Sequence, residues 1–215
     1  MRDQRRRNYL VGYSGHAFVV AEAALLNQIL IGGYADKKKA DFNPFNLEYV
    51  GNDRDEDFRG WKEEAVFILG IGDNNIRADV SSRIRSRGLE CLTVIHPDSY
   101  VSTNSSIGSG AFVARGALVN PFCKVGNDVI INTGAVIEHE CIVQDGCHVA
   151  PGAVLAGNVT IGVGAFVGAN SVVKQGVSIG ANAVVGAGSV VVRNIPSGAL
   201  VYGNPASLQR IEQSR

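Results

Sequence analysis

A six-residue period governs the second half of the chain. From Val101 to Val191, every sixth residue is aliphatic, which gives 16 consecutive positions without an insertion. The position four residues later in each hexad is nearly always small, as at Ala111, Ala135 and Ala153. This period matches neither the helical repeat nor the alternation of a simple strand, and it is typical of a parallel β-helix.

Each hexad predicts one short strand and one turn, and three hexads, about 18 residues, make one triangular coil. The aliphatic residue fills the interior, and the small residue lets the chain bend at a corner. The series predicts about five coils. Cys123, Cys141 and Cys147 occupy the small interior position, so we expect buried thiols rather than disulfides or a zinc site.

The first half of the chain alternates between strand-like and helix-like segments. The predicted strands are 8–12, 29–34, 65–71 and 92–95, and the predicted helices are 17–28 and 78–87. This alternation predicts a small parallel α/β sheet that binds ligands at the carboxyl ends of its strands. We therefore expect an α/β domain at residues 1–97, followed by a β-helix domain with a C-terminal tail at residues 98–215.

Two glycine turns follow strands of this predicted sheet. One is Gly12-Tyr13-Ser14-Gly15, and the other begins at Gly70. A glycine turn that opens a helix can hold a phosphate on its backbone N–H groups, which favours a nucleotide-type ligand. The full dinucleotide-binding pattern is absent from the sequence, and ordinary strand-to-helix turns are the alternative interpretation.

Composition and charge narrow the functional classes. The 20 basic and 20 acidic residues cancel, so nothing in the totals indicates a nucleic-acid-binding protein. The basic N-terminus is followed by an apolar stretch, but Gly12 and Glu22 interrupt it, so we expect no signal peptide. The sequence lacks an apolar run long enough to span a membrane. We expect a cytoplasmic protein.

Candidate chemistry concentrates on the two histidines of the repeat, His139 and His148. Hexad phase puts His139 in a turn outside a corner, beside Glu140. Histidine titrates near neutral pH and suits general-base catalysis, and a neighbouring carboxylate stabilises its protonated form. Gly157 lies one coil above His139 and can offer an unhindered backbone N–H to an oxyanion. These residues indicate acyl transfer to an amine or a hydroxyl.

The same phase predicts that His148 points outward from a flat face, half a coil away from His139. Within one chain the two histidines therefore face away from each other. If prisms pack around a threefold axis, the corner of one meets the face of another. We expect His139 and the partner subunit's His148 to share a groove in that arrangement.

The segment from Asn132 to Gly162 resembles the sialic-acid O-acetyltransferase-like family. The likeness rests on the stretches around His139-Glu140, His148-Val-Ala-Pro-Gly and Ala156-Gly157. The best-known branch comprises the UDP-4-amino-sugar N-acetyltransferases of bacillosamine synthesis. The first domain supports the resemblance through Gly12-x-Ser14-Gly15-His16, Asp36 and Gly72-x-Asn74-x-Ile76-Arg77.

The resemblance implies a left-handed parallel β-helix, a homotrimer, and acetyl-CoA as co-substrate in grooves between prisms, with no metal. It implies that His139 is the general base, that Glu140 tunes it, and that the acceptor is the 4-amino group of a nucleotide-linked sugar. The implied acetyl-CoA contacts are His148, Gly157, Ala169 and Ala187. The implied sugar-nucleotide contacts are Ser14, Gly15, His16, Asp36, Lys37 and Gly72.

Three alternatives remain open on the sequence. Acetylation of a sugar hydroxyl, as in a sialic acid O-acetyltransferase, is the nearest. A γ-type carbonic anhydrase uses the same prism but needs three histidines to hold zinc between subunits, and this repeat offers two. A non-catalytic scaffold or nucleotide sensor is the third, although the His139-Glu140 pair argues against it.

Overall fold

The computed structural model describes residues 7–63 and 65–211. Its first part contains β1 (Asn8–Val11), α1 (Gly15–Leu26), β2 (Ile31–Ala35), α2 (Arg59–Lys62), β3 (Val66–Leu69), α3 (Asn74–Ser86) and β4 (Glu90–Cys91). The four strands form one parallel sheet in the order β2-β1-β3-β4. The predicted α/β class of this half is confirmed.

Both long helices of this part begin earlier than predicted, directly behind the glycine turns. Helix α3 starts at Asn74 rather than at residue 78, because the Asp73 carboxylate caps it by accepting a 2.9 Å hydrogen bond from the Ile76 N–H. Helix α1 starts at Gly15, with Ser14 in an extended conformation at its N-cap. Two helix N-termini therefore meet at the carboxyl edge of the sheet.

The second part is built from two-residue strands that recur every six residues. They are β5 (Val94–Ile95), β6 (Tyr100–Val101), β7 (Ser106–Ile107), β8 (Phe112–Val113), β9 (Leu118–Val119), β10 (Lys124–Val125), β11 (Ile130–Ile131), β12 (Val136–Ile137), β13 (Ile142–Val143), β14 (His148–Val149), β15 (Val154–Leu155), β16 (Thr160–Ile161), β17 (Phe166–Val167), β18 (Val172–Val173), β19 (Ser178–Ile179), β20 (Val184–Val185) and β21 (Val190–Val191). A hairpin of β22 (Ala199–Gly203) and β23 (Ala206–Ile211) follows them.

These strands stack into three parallel sheets, which form the faces of a prism. The docked face consists of β5, β8, β11, β14, β17, β20 and β22, with β23 antiparallel at its end. The apolar face consists of β6, β9, β12, β15, β18 and β21. The third face consists of β7, β10, β13, β16 and β19. The predicted fold class, a parallel β-helix behind a small α/β domain, is confirmed.

The β-helix has about six turns rather than the five that the repeat predicted. The difference arises at both ends. Ile95 lies six residues before Val101 and belongs to the same aliphatic series, and β22 continues the docked face beyond Val191. The predicted strand 92–95 is wrong as a unit, because β4 pairs with β3 whereas β5 already pairs with β8. β5 therefore already belongs to the docked face of the prism.

The prism interior is a continuous column of aliphatic and small side chains. Cys123, Cys141 and Cys147 are buried in it as predicted, and their thiols are free. The Cys147 thiol donates to the Gly162 carbonyl at 3.0 Å, and burial raises its pKa to about 12. These cysteines pack as small apolar residues.

The α/β domain packs along the docked face, from β5 to the turn before β17. Helix α1 shares a buried apolar cluster with Val94, Phe112 and Ile130. Arg77 is only 1% exposed and donates hydrogen bonds to the Asp128 and Gly146 carbonyls of the prism, each at 2.8 Å. The two parts are thus joined by an apolar interface and by a buried guanidinium that satisfies carbonyls across it.

Candidate active site

The first part of the candidate site is the corner between the apolar and third faces, where β12 turns into β13. His139 and Glu140 lie in this turn, and their side chains are half-exposed. The Glu140 Oε2 atom lies 3.1 Å from the His139 Nδ1 atom. A carboxylate there accepts a hydrogen bond from the Nδ1–H group and leaves Nε2 as the basic nitrogen. The pair therefore has the geometry of an oriented general base.

Gly157 lies one coil above, and the His139 ring covers it. A Cβ atom added to Gly157 would lie 2.5 Å from the His139 Cε1 atom and 2.6 Å from its Nε2 atom. Only glycine therefore allows the imidazole to occupy this position. The Gly157 N–H makes no hydrogen bond within residues 7–63 and 65–211 and is available as a donor beside the imidazole.

The corner between the docked and apolar faces carries Ala169 and Ala187. They stack one coil apart, since the Gly188 N–H donates to the Ala169 carbonyl at 2.8 Å. Their own N–H groups, like that of Gly157, donate no hydrogen bond to the part of the chain that the structure describes. This corner therefore carries two backbone N–H donors, one coil apart, that have no partner among the described residues.

His148 points outward from the docked face, but the α/β domain of its own chain covers it. The Gly72 carbonyl lies 3.2 Å from Nδ1, and the Asn132 amide nitrogen lies 3.0 Å from Nε2. Burial and the nearby Arg77 lower the His148 pKa to about 4. The ring is therefore neutral near pH 7, with Nδ1 donating to Gly72 and Nε2 accepting from Asn132.

His16 adjoins His148 at the start of α1, with the two ring centres 6.2 Å apart. Burial, then the proximity of His148 and Arg77, lowers the His16 pKa to about 4. Its Nε2 atom is buried and has no hydrogen-bond partner among the described residues. A buried polar atom without a partner is costly, and such an atom can be satisfied by a ligand.

A cleft of about 390 Å³ lies between the two glycine turns at the carboxyl edge of the sheet. It brings together four of the predicted sugar-nucleotide residues, namely Ser14, Asp36, Lys37 and Gly72. The Ser14 hydroxyl makes no capping hydrogen bond, so it is free to meet a ligand. Gly15 stands in the first turn of α1 with open space around it. The N-terminus of α1 thus faces the cleft with its N–H groups, which suits a phosphate.

Sequence reasoning missed several residues of this region. Asp53 and Arg83 form an ion pair on the cleft wall, and Arg54 lines the cleft beside them. The two partners are 30 residues apart in the chain, and nothing in their spacing signals that they meet. Asn132 was recognised only as part of a motif, and its contact with His148 depends on the coil geometry.

Within one chain these features form two separate groups. His139, Glu140 and Gly157 occupy the corner opposite the docked face, whereas His16, His148 and the cleft lie on the docked face. The arrangement can therefore unite base and cleft only if a second chain supplies one of them.

Comparisons with known proteins place these features in a family. Residues 9–84 match the PglD N-terminal domain, residues 122–157 match the bacterial transferase hexapeptide, and residues 158–193 match the hexapeptide repeat of succinyl-transferase. PerB from Caulobacter crescentus, solved with CoA and GDP-perosamine, is 34% identical with a TM-score of 0.88, over 96% of this chain and 98% of that one. The chain belongs to the family of hexapeptide-repeat sugar N-acetyltransferases with a PglD N-terminal domain. The resemblance inferred from sequence is confirmed.

Two further family members support this assignment. The acetyltransferase domain of PglB from Neisseria gonorrhoeae is 29% identical with a TM-score of 0.87, over 95% of this chain and all of that one. A UDP-N-acetylbacillosamine N-acetyltransferase of Bacillus subtilis is 33% identical over 108 residues. That match spans 48% of this chain and about half (49%) of the relative.

The described residues contain no group of three or more His, Cys, Asp or Glu side chains arranged to hold a metal ion. None of their helices is both long and apolar enough to span a membrane.

Proposed function

We propose that this chain transfers the acetyl group of acetyl-CoA to the 4-amino group of a nucleotide-linked amino sugar. The observation that carries the proposal is the His139–Glu140 pair, whose imidazole packs against Gly157, a residue with a free N–H group. The relatives add support, because one is named for N-acetylation of a bacillosamine nucleotide and another was solved with CoA and GDP-perosamine.

In the proposed reaction the sugar amine attacks the thioester carbonyl while His139 Nε2 accepts the amine proton. The N–C bond forms, and the oxyanion that develops is stabilised by the Gly157 N–H. The C–S bond then breaks, and the proton on His139 passes to the departing CoA thiolate. Glu140 holds the Nδ1–H and stabilises the imidazolium between these steps.

We propose further that the enzyme is a homotrimer with its active sites between chains. The apolar face presents a ladder of outward side chains, namely Tyr100, Leu118, Val136, Val154, Val172 and Val190. Three of its members are 40–54% exposed in the single chain. The third face offers Ser106, Lys124, Thr160 and Ser178 at the equivalent positions, with Ile142 as the one apolar residue. Burial of the apolar ladder around a threefold axis would remove it from water.

This packing brings the two groups of site residues together. When apolar faces meet around the axis, the His139 corner of each chain abuts the Ala169–Ala187 corner of the next. Asn132 belongs to that second corner and contacts His148, so the partner subunit's His148 adjoins the groove. The groove then offers acetyl-CoA the N–H groups of Gly157, Ala169 and Ala187. Ser14, Gly15, His16, Asp36, Lys37 and Gly72 would hold the sugar nucleotide.

The deciding assay measures CoA release from acetyl-CoA with a panel of nucleotide-linked 4-amino sugars, using the wild type and His139→Ala. We expect turnover with at least one amino sugar and a loss of roughly 100-fold or more in the variant. Turnover only with sugar hydroxyl acceptors would favour O-acetylation, and no turnover with either would favour a scaffold.

The oligomeric state has its own test. Val172→Glu places a charge on the apolar face, and Ser178→Glu places the same charge on the third face. Light scattering should report monomers only for Val172→Glu. Trimers that persist in this variant would contradict the proposed packing.

We propose that the enzyme is cytoplasmic, because its four cysteines are buried and free, as is usual in a reducing compartment.

A further inference from the structure

The upper coils of the prism have an unusual distribution of charge. Between Asp145 and Arg210 the sequence contains no acidic residue, and its only lysine and arginine residues are Lys174 and Arg193. Both are exposed, and neither side chain forms an ion pair or a hydrogen bond within residues 7–63 and 65–211. Folding of the single chain therefore leaves both positive charges without a partner.

Both residues lie at the corner that carries the candidate general base. The turns of this corner follow β12, β15, β18 and β21, which are consecutive neighbours in the apolar face. In that order the turns contain His139, Gly157, Lys174 and Arg193. The two turns of the same corner below His139, residues 102–104 and 120–122, contain no charged residue. The corner is therefore cationic only above the base.

The same levels carry the other proposed contacts of acetyl-CoA. Ala187 lies in the turn before β21 and Arg193 lies in the turn after it, so the two residues belong to one coil. Rotation about a threefold axis parallel to the prism leaves height unchanged. In the proposed trimer the partner subunit's Ala187 would therefore face the corner of Arg193 across the groove.

The height of Arg193 above the base also fits the length of the donor. Three coils separate His139 from Arg193, which is about 14 Å at the usual strand spacing. In coenzyme A about 13 bonds separate the sulfur from the first phosphorus, and an extended chain gains roughly 3.4 Å for every three bonds, so the arm spans about 15 Å. A thioester beside His139 thus places the diphosphate near the level of Arg193. Lys174 lies one coil lower, about 5 Å, which its flexible stem can bridge.

We propose that Arg193 and Lys174 bind the phosphate groups at the adenosine end of acetyl-CoA. This inference rests on the proposed function. The diphosphate and the 3′-phosphate of coenzyme A are negatively charged near pH 7. Arginine holds phosphate oxygens with a planar fork of N–H donors, and lysine acts as a point charge. Because these charges lie far from the reacting carbonyl, they strengthen donor binding equally before and during the reaction, which lowers KM and leaves kcat unchanged.

The test compares two donors that share the same thioester and the same arm. Acetyl-CoA carries the phosphates, whereas S-acetyl-pantetheine ends before them. In Arg193→Gln the KM for acetyl-CoA should rise roughly 10-fold, as expected for the loss of a charge-assisted hydrogen bond, and kcat should not change. The kcat/KM for S-acetyl-pantetheine should equal that of the wild type, because this donor does not reach Arg193. Lys174→Gln should raise the KM for acetyl-CoA in the same selective way.

A matched control is Lys124→Gln, which removes an exposed cation from the third face and should leave the KM for both donors unchanged. All of these side chains are exposed, so the Tm and the trimer should not change in any variant. The KM for the acceptor should also stay at the wild-type value.

Three results would overturn the proposal. Equal losses with both donors would show that the cations act on the shared arm or on the fold. A rise only in the KM for the acceptor would assign them to the sugar nucleotide. A wild-type KM for acetyl-CoA in Lys174→Gln/Arg193→Gln would leave them without a role in donor binding.

Calorimetry separates this inference from the proposed function. If the wild type acetylates no nucleotide-linked amino sugar, the proposed function fails, but the binding of CoA alone can still be measured. The Kd for CoA should rise at least about 10-fold in Lys174→Gln/Arg193→Gln. An unchanged Kd, or a wild type that does not bind CoA, would refute the inference.

Discussion

Gly157→Ala offers a sharp test of the candidate active site, because it adds one methyl group beneath the imidazole of His139. The added Cβ atom would lie 2.5 Å from Cε1, whereas carbon atoms in contact stay about 3.5 Å apart. The ring must therefore move by about 1 Å. Gly157 is outside the left-handed region, so alanine fits its backbone without strain. The half-exposed ring can swing outward, which spares the fold.

A displacement of about 1 Å at a reacting group costs roughly 100-fold in rate, equivalent to about 2.7 kcal/mol of activation free energy. We expect a fall in kcat of that order with a Tm within about 2 °C of the wild type. Alanine retains the backbone N–H that would stabilise the oxyanion, so the fall in kcat reports only the displaced position of His139. Stopped-time assays of CoA release and a thermal melt measure the two quantities.

Two comparisons control this experiment. Gly32→Ala adds a methyl group that meets nothing closer than 3.5 Å, and this variant should keep the wild-type rate. In a His139→Ala background, Gly157→Ala should cause no further loss, because its effect acts through the imidazole. Wild-type kcat in Gly157→Ala would refute the assignment of His139 as a base that works from this position.

Two further predictions concern stability. Ile137 is fully buried, whereas Ile142 is 39% exposed on the third face. Ile137→Asp should therefore lower the free energy of unfolding by more than about 4 kcal/mol and Ile142→Asp by about 1 kcal/mol, as measured by urea unfolding. Equal losses of stability would contradict the predicted inward and outward positions of the repeat. His16 and His148 have pKa values lowered to about 4, chiefly by burial. In the unfolded chain they titrate at about 6.5. The unfolded state therefore binds more protons between these values, and stability should fall as pH decreases from about 6.5 to about 4, by up to about 3 kcal/mol per histidine. A His16→Gln/His148→Gln variant should flatten the Tm profile over that range, and an equally steep profile would be evidence against this cause.

The prism and its corner residues could be predicted from the sequence, because a strict six-residue repeat fixes which positions point inward and which lie in turns. Once every sixth position points inward, the placement of His139 in a turn and of Gly157 one coil above it follows without further information. The buried cysteines follow in the same way. The first coil was missed because Ile95 was read as part of an α/β strand, and a two-residue strand carries too little pattern to reveal its sheet.

What the sequence could not predict is how the two parts meet. His148 was predicted to point outward from a flat face, and it does so, but the Gly72 turn of the same chain covers it. That contact joins residues 76 positions apart, and the Gly72 carbonyl also accepts a 3.1 Å hydrogen bond from the buried Arg77. In the sequence, the charge of Arg77 indicates a surface position on an amphipathic helix. The local sequence pattern specifies helices, strands and turns. The packing of the α/β domain on the prism depends on backbone carbonyls that come together only in the folded prism.

The separation of base and cleft within one chain leads to a complementation test. His139→Ala removes the base and keeps the cleft, and Ser14→Trp fills the cleft and keeps the base. Each variant alone should be nearly inactive. If each active site takes its base from one chain and its cleft from the next, random mixed trimers restore about one quarter of the interfaces. Unfolding and refolding an equal mixture should then recover about a quarter of the wild-type activity, whereas refolding each variant separately should recover none. A site completed within one chain would give an inactive mixture, because no chain in it carries both parts intact.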